Sequence, residues 1–340
     1  MDNLFMENEK PATLQDIALK TGVSPTTVSR VVNNNPSVKP GVRKRVEEAI
    51  REMKYEKGNS ASSKKPRLSN TVGLIVPDIL NPFFPLLIKG IENIARIQGF
   101  SIILCDSEND CDEESTHVQT LLEKGIDGLI FIPAPGKNVL VEGLIEGNFP
   151  LVFLDRKVDR DRINFVTSAN EEGAYTAVKY LITLGHREIV FIGGQEYLST
   201  QKERFEGYRR ALEEENIPLD DTLILLGQHS WDKSYDAVSG LIGSGKMFSA
   251  IFATSDMMAF GAKQAVQDAN MKIPGDVSII GFDDIPFSSA ISLTTVSQPA
   301  FEMGKNAMLL LIDLINRRVQ TPHHIVLRTS MVIRESCGKR

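Results

Sequence analysis

Three cysteines in 340 residues, Cys105, Cys111 and Cys337, lack the spacing of a zinc site or a redox pair. They read as free thiols of a reduced cytoplasm. No run of 18 apolar residues occurs, which excludes a membrane-spanning helix. The opening MDNLFMENEK has no apolar stretch of the kind a signal peptide carries, so a cytoplasmic protein is expected. The five histidines, His117, His186, His229, His323 and His324, show no metal spacing and stand beside no nucleophile motif. No metal, no cofactor and no catalysis are expected. Gly193 and Gly194 follow an apolar run but lack the full G-x-G-x-x-G spacing, so they read as a tight turn rather than a phosphate cradle. Tryptophan occurs once, at Trp231.

The rest is globular in composition: 42% hydrophobic and 24% charged, with a length that suits two or three domains. A net charge of −6 does not by itself suggest nucleic acid, but the charge is unevenly placed. Residues 1–70 hold 13 Lys and Arg against 8 Asp and Glu, a balance of +5; the remainder holds 25 against 36, a balance of −11. A basic head on an acidic body fits phosphate contact at one end only.

That head contains TLQDIALKTGVSPTTVSRVV, residues 13–32, which reads as helix, tight turn, helix. Thr13 suits a helix cap, with Asp16 as its partner in the first turn. Leu14, Ile17 and Ala18 form one apolar face. Gly22 supplies a turn that a Cβ would strain. Ser24 caps the second helix and Pro25 takes its first position. Val28, Val31 and Val32 turn inward. Pro25, Thr26, Thr27, Ser29 and Arg30 remain outward: short polar groups and one long cation able to read a base. An ordinary helical hairpin would satisfy a looser pattern. Here cap, turn, small residue and apolar packers agree with a DNA-binding helix-turn-helix. A third helix follows from Pro40, and its Arg43, Lys44 and Arg45 form either a phosphate-contacting or a merely solvated face.

Residues 58–70 are a linker by composition. From Thr71, short apolar runs alternate with amphipathic helical stretches in two series, which predicts two doubly wound parallel sheets in a two-lobed α/β core. In such sheets ligands bind in the loops at the carboxyl ends of strands. Those loops carry Asp78, Asn81, Phe83, Asp155, Arg156, Arg204, Trp231, Asp256 and Asp283. Acids, arginines and aromatics of this kind suit a sugar, whose hydroxyls pair with charged groups and whose CH face an aromatic covers. Each has an ordinary alternative: Asp78 and Asn81 as turn formers, Phe83 as core, Asp155 with Arg156 as a surface pair.

These residues resemble the lactose-repressor/galactose-repressor family of bacterial transcription regulators. The resemblance covers nearly the whole chain, through the head motif and through NPFF, VFLDR, RFEGY, FATSDMMAFGA, GFDD and LTTVSQP. It implies a head at 1–57, a hinge at 58–70 and a periplasmic-binding-protein-like effector and dimerisation core at 71–340. It further implies three crossings between lobes, near 168–170, 293–299 and 318–322. Lobe 1 would hold about 71–168 and 299–318, and lobe 2 about 169–293 and 322–336, with the final strand on the second lobe. Double-stranded operator DNA, a small-molecule effector and a second copy of the chain are the implied partners. By position, Pro25, Thr26 and Arg30 match base-reading places, and Thr13, Ser24, Ser29 and Asn33 match phosphate or helix-positioning places. Asp155, Arg204, Trp231, Asp256 and Asp283 match effector contacts, with Phe83 and Arg156 beside them.

The hinge departs from the family pattern, in which a leucine wedges into the minor groove and kinks the DNA. At that place stands Lys64. Either the hinge stays flexible and Lys64, Lys65 and Arg67 contact phosphates, or Leu68 serves in a shifted register. The first is preferred, and little DNA bending in a gel-phasing assay is its expected result. No leucine-heptad tail follows the last strand, so a dimer is expected. The reading that results is an effector-controlled regulator, expected to be a repressor with a sugar effector. Its alternatives are a phosphorylated metabolite, a nucleobase or a protein as effector. An α/β enzyme and a secreted sugar-binding protein are the rival classes.

Overall fold

The computed structural model describes residues 12–33, 35, 38–53, 55, 68–160, 162–195, 198–228, 230–319 and 322–340. It divides into two compact units, residues 1–68 and 69–340. Lys64, Lys65 and Arg67 of the expected hinge lie outside the described residues, and Leu68 is exposed.

The first unit has three helices: α1 (Leu14–Thr21), α2 (Pro25–Val32) and α3 (Pro40–Glu52). Local chemistry sets their ends. The Thr13 hydroxyl accepts from the Asp16 amide at 3.2 Å, and the Asp16 carboxylate accepts from the Thr13 amide at 2.8 Å, a reciprocal cap. Gly22 closes α1 at φ +64°, in the left-handed region. The Ser24 hydroxyl accepts from the Thr27 amide at 3.2 Å, with Pro25 opening α2. Ile17, Ala18, Val28, Val31, Val46 and Ala49 meet in one small core, while Leu14 and Val32 pack half-buried at its margin.

The second unit holds two six-stranded sheets, each covered on both faces. In the first lobe, β1 (Thr71–Val76), α4 (Phe83–Gln98), β2 (Ser101–Asp106), α5 (Cys111–Glu123), β3 (Gly128–Phe131), α6 (Val139–Glu146), β4 (Leu151–Leu154) and β5 (Phe165–Ser168) follow in order. In the second come α7 (Asn170–Thr183), β6 (Ile189–Ile192), α8 (Ser199–Glu214), β7 (Ile224–Leu225), α9 (Trp231–Gly243), β8 (Ala250–Ala253), α10 (Asp256–Asp268), β9 (Ser278–Asp283), α11 (Pro286–Ala290) and β10 (Thr294–Ser297). Then α12 (Ala300–Ile315) returns to the first lobe, followed by β11 (His324–Leu327) and β12 (Ser330–Val332). The strand orders are β11-β5-β4-β3-β1-β2 and β12-β10-β9-β8-β6-β7. All pairings are parallel except β10 with β12. Strands such as β3, β4, β6 and β8 are buried along their whole length, as sheets covered on both faces require.

The end of the chain differs from the sequence reading. The expected final strand on the second lobe is two strands. His324–Leu327 adds in parallel to β5 in the first lobe, with the His324 ring stacked on Phe165 at 4.1 Å between centroids. Only Ser330–Val332 joins the second sheet, against β10. The third crossing therefore falls at Arg328–Thr329 rather than 318–322, and residues 322–327 belong to the first lobe. The second crossing falls at Gln298–Pro299, because β10 still belongs to the second sheet. β5, which the apolar runs did not announce, leads into the first crossing.

Helices α4 and α12 cross closely. A Cβ on Gly90 would lie 2.1 Å from the Phe301 carbonyl oxygen, and one on Gly304 would lie 2.1 Å from that of Leu87. Backbone cannot yield as a side-chain tip can. Gly304→Ala is expected to destabilise the core by about 1–3 kcal/mol, read as a lower urea midpoint at unchanged slope.

Candidate nucleic-acid interface and effector site

On α2 the outward groups are those the sequence suggests. Pro25, Thr26 and Arg30 are exposed; Thr27 and Ser29 are half-buried. Other hydroxyls of the head have local partners. Thr13 Oγ1 lies 2.6 Å from Asp16 Oδ2, and Ser24 Oγ lies 2.9 Å from Thr27 Oγ1. The Asn33 amide donates to Ser29 Oγ at 3.5 Å. Thr13 and Ser24 therefore set the angle of the helices first. Arg43 is tied to the Asn35 carbonyl at 2.5 Å and lies 4.0 Å from Glu47, while Lys44 and Arg45 are exposed.

In the core, the crossings bring polar groups of both lobes together. β4 ends at Leu154, and Asp155 turns out of it at φ +62°. Its amide donates to Val166 O and its carbonyl accepts from Thr167 Oγ1, at 2.8 and 2.7 Å, which fix the backbone. Its carboxylate is buried, and Oδ1 has no hydrogen-bond partner among the described residues. Burial pushes this carboxyl above its ordinary range, opposed by Arg204 and Arg156.

Arg204, from α8, is 4% exposed. Its Nε donates to Asn170 Oδ1 at 2.9 Å and its Nη1 to the Thr254 carbonyl at 2.6 Å. The guanidinium lies over the Phe282 ring at 3.8 Å from the centroid, a cation–π contact. Nη1 is also 3.8 Å from Asp283 Oδ1. Asp283 closes β9 at φ +117° and accepts from Gln298 Nε2 at 2.7 Å. Burial raises its carboxyl well above the usual range, and Arg204 opposes this. Gln298 Oε1 in turn accepts from Ser168 Oγ at 2.5 Å, joining the first crossing to the second. A charged cluster with an unsaturated acceptor thus sits where two crossings meet, able to take hydroxyl donors and to present guanidinium N–H groups.

Other expected contacts stand elsewhere. Asp256 is fully buried, and its carboxylate accepts from the Ile285 amide at 2.9 Å and from Ser288 Oγ and Thr295 Oγ1 at 2.5 Å each. It fastens α11 and β10 beside β9 and has its acceptors committed, which removes it from the candidate contacts. Its carboxyl is pushed up to about 6, first by burial. Phe83 is buried in the core, edge-on to Phe84 at 5.5 Å between centroids. Trp231 opens α9 and is 39% exposed; its indole N–H donates to Gln264 Oε1 at 2.7 Å and its ring meets Phe260 edge-on. It leans on α10 with part of its ring free. Arg156 Nη1 donates to Asn109 Oδ1 and the Pro133 carbonyl at 2.9 and 3.0 Å, so it braces loops of the first lobe. Asp78 and Asn81 accept from amides two residues ahead, as turn formers do.

Sequence reasoning missed Ser168, Asn170, Thr254 and Gln298. The usable signal was a polar residue directly after an apolar strand, in VTSAN and TTVSQ. A latch beside them also escaped notice: the Lys157 amide donates to Ser199 Oγ at 2.9 Å, and Lys157 Nζ pairs with Glu203.

Among known proteins, the family of bacterial regulatory proteins, lacI family, matches residues 13–57, and the periplasmic binding protein-like domain matches residues 178–337. Catabolite control protein A of Priestia megaterium is 37% identical over 328 residues, 94% of this chain and 98% of its own. The chain belongs to the lacI family of bacterial regulatory proteins. The transcriptional regulator CelR–cellobiose complex superposes on this lacI-family chain with a TM-score of 0.74 at 29% identity, over 96% of this chain and 99% of that one. A LacI family transcriptional regulator from Enterococcus faecium with bound ribose gives 0.71 at 31% identity, over 79% and 99%. This lacI-family chain is a DNA-binding transcriptional regulator rather than an enzyme. No helix among the described residues is long and apolar enough to cross a membrane.

Proposed function

We propose that this regulator represses transcription as a homodimer on a palindromic operator and is controlled by a sugar bound between its lobes. Pro25, Thr26 and Arg30 read base edges in the major groove, and two heads match the two half-sites. Thr13, Ser24, Ser29 and Asn33 hold that helix to the phosphate backbone or to its own domain. The observation that carries the effector reading is the buried, unsaturated Asp155 Oδ1 facing Arg204 near the lobe crossings. A sugar hydroxyl donates to Asp155, and its oxygens accept from Arg204, with Asp283 holding Arg204 in place. Arg156 supports the loop, and the free part of the Trp231 ring stands at the margin. Relatives of this fold with cellobiose and with ribose in their names support a sugar. Closure of the lobes by the effector changes the placement of the heads and hence operator affinity.

The test is a titration of the full chain with neutral sugars, followed through Trp231 fluorescence and then through operator binding. A saturable change that also shifts operator affinity supports the reading. Silence across the panel with folded protein moves the effector to a phosphorylated molecule, a nucleobase or a protein.

A pH dependence follows. The Asp155 carboxyl is raised, so the free protein holds this proton to higher pH than an ordinary aspartate does. Hydroxyl donation favours the ionised form, so binding releases the proton. Effector affinity is expected to fall as pH drops through the raised value, with Asp283 acting in the same sense. Asp155→Asn is expected to weaken binding at least tenfold and to flatten this profile, as calorimetry across pH would read.

A further inference from the structure

The first lobe holds a cavity of about 690 Å³ at the opposite end of its sheet from Asp155. Leu151 opens β4 there, and Asp155 follows its other end, about 13 Å away at about 3.3 Å per residue. Neither Asp155, Arg204 nor Asp283 lines it. Its size falls within the usual range of small-molecule sites, about 300–1,000 Å³.

Two arginines line it, Arg162 before β5 and Arg317 after α12. Both are exposed, and neither guanidinium has a hydrogen-bond or ion-pair partner among the described residues. No described lining residue is acidic. The nearby Asp313 is paired with Arg318 at 3.3 Å. Arginines near helix ends often serve the last carbonyls. Here that need is already met. The Gly147 amide donates to Gly143 O at the end of α6, and the Asn316 and Arg317 amides donate to Ile312 O and Leu314 O at the end of α12. The Asn164 amide group is likewise occupied, by Leu151 O and the His323 amide, which makes that wall rigid. The rest of the lining is largely apolar, with Phe149 half-buried.

Two open guanidinium forks over a largely apolar floor, with no carboxylate among the described lining residues, fit a planar or tetrahedral oxyanion attached to an apolar body. We propose that this cavity is a second ligand site, which holds the phosphate group of a phosphorylated molecule between Arg162 and Arg317. The phosphate has two possible sources. One is a free organic phosphate, acting as a second effector. The other is the backbone of bound DNA, since β1, which follows the linker in the sequence, starts at this same edge, where Gly73, Leu129 and Leu151 lie in register across β1, β3 and β4.

Phenyl phosphate is the probe, titrated into the full chain by calorimetry with phenol as control. Saturable binding of one molecule per chain is expected, weakened at least tenfold by Arg162→Glu or Arg317→Glu and partly kept by Arg162→Lys. Unchanged near-ultraviolet circular dichroism checks the fold of each variant. In the second arm, operator affinity is measured against salt for the wild type and the Arg162→Glu/Arg317→Glu double variant. A slope of log affinity against log salt that falls by about 1–2 in the variant assigns the phosphate to DNA. An unchanged slope with phenyl phosphate bound assigns it to a free metabolite. The proposal is overturned if the double variant binds phenyl phosphate as the wild type does. It is equally overturned if the wild type binds none and the salt slope is the same in both proteins.

Discussion

Arg30→Ala is expected to weaken operator binding by about one and a half to four orders of magnitude while leaving the head folded. Arg30 is exposed on the outer face of α2, outside the Ile17, Val28, Val31 and Val46 core. Its removal therefore costs recognition and not packing. A good arginine contact with a guanine edge discriminates by about 1–3 kcal/mol. The proposed dimer loses it twice, so about 2–6 kcal/mol goes from the specific complex, on the scale where 1.4 kcal/mol is tenfold. Binding to random DNA should fall far less, because one phosphate-range cation among many is lost. Competition between operator and random duplex at fixed salt reads the ratio. An equal loss on both would place Arg30 on the backbone instead of on a base.

Arg204→Leu is expected to have the larger effect on the core. The guanidinium lies 3.8 Å from Asp283 and is the main charge opposing the burial of Asp155. Removing one partner of a buried pair leaves an uncompensated charge and costs about 3–5 kcal/mol. The Asn170 and Thr254 acceptors lose their donor as well. Arg204→Leu is therefore expected to lower the unfolding midpoint sharply and to abolish the effector response. Arg204→Lys keeps the charge but loses the fork and the flat stack on Phe282. It should recover most of the stability and little of the effector affinity. Thermal unfolding and the Trp231 titration on both variants separate the two roles. Full effector affinity in the lysine variant would reduce Arg204 to a structural counter-ion.

Local chemistry explains which parts of this molecule could be read in advance. The head is legible because cap, turn and packing lie within twenty residues: Thr13 with Asp16, Gly22, Ser24 with Thr27. The alternation of apolar runs and helices is equally local, and it gives four strands of each sheet, β1 to β4 and β6 to β9, but neither β5 nor β10. The two halves of the last strand are another matter. HIVL and SMV look alike as sequence, and their partners, β5 and β10, lie far away along the chain. Only the three-dimensional pairing assigns one to each lobe. The acids show the same limit. Asp155, Asp256 and Asp283 each follow or adjoin a strand, yet Asp256 receives three internal donors while Asp155 keeps an open oxygen. That difference depends on Ser288 and Thr295, residues which from sequence alone are ordinary loop and strand. Ser168 and Gln298 each stand where a polar residue follows a strand, but their pairing spans 130 positions and only the fold shows it.

The late division of β11 and β12 bears on how the chain is made. The first lobe needs α12 and β11, residues 300–327, to finish a sheet begun at Thr71. The second needs β12 and the tail beyond it, where Ser336 bonds to Ile279 and Thr294, Gly338 to His186, and Arg340 to Leu184. Neither lobe can therefore close while most of the polypeptide is still emerging from a ribosome. The head is synthesised first, and its apolar core is drawn entirely from residues 14–55. A growing chain would carry a folded head ahead of two unfinished lobes, whose open sheet edges close together, at the last stage of synthesis.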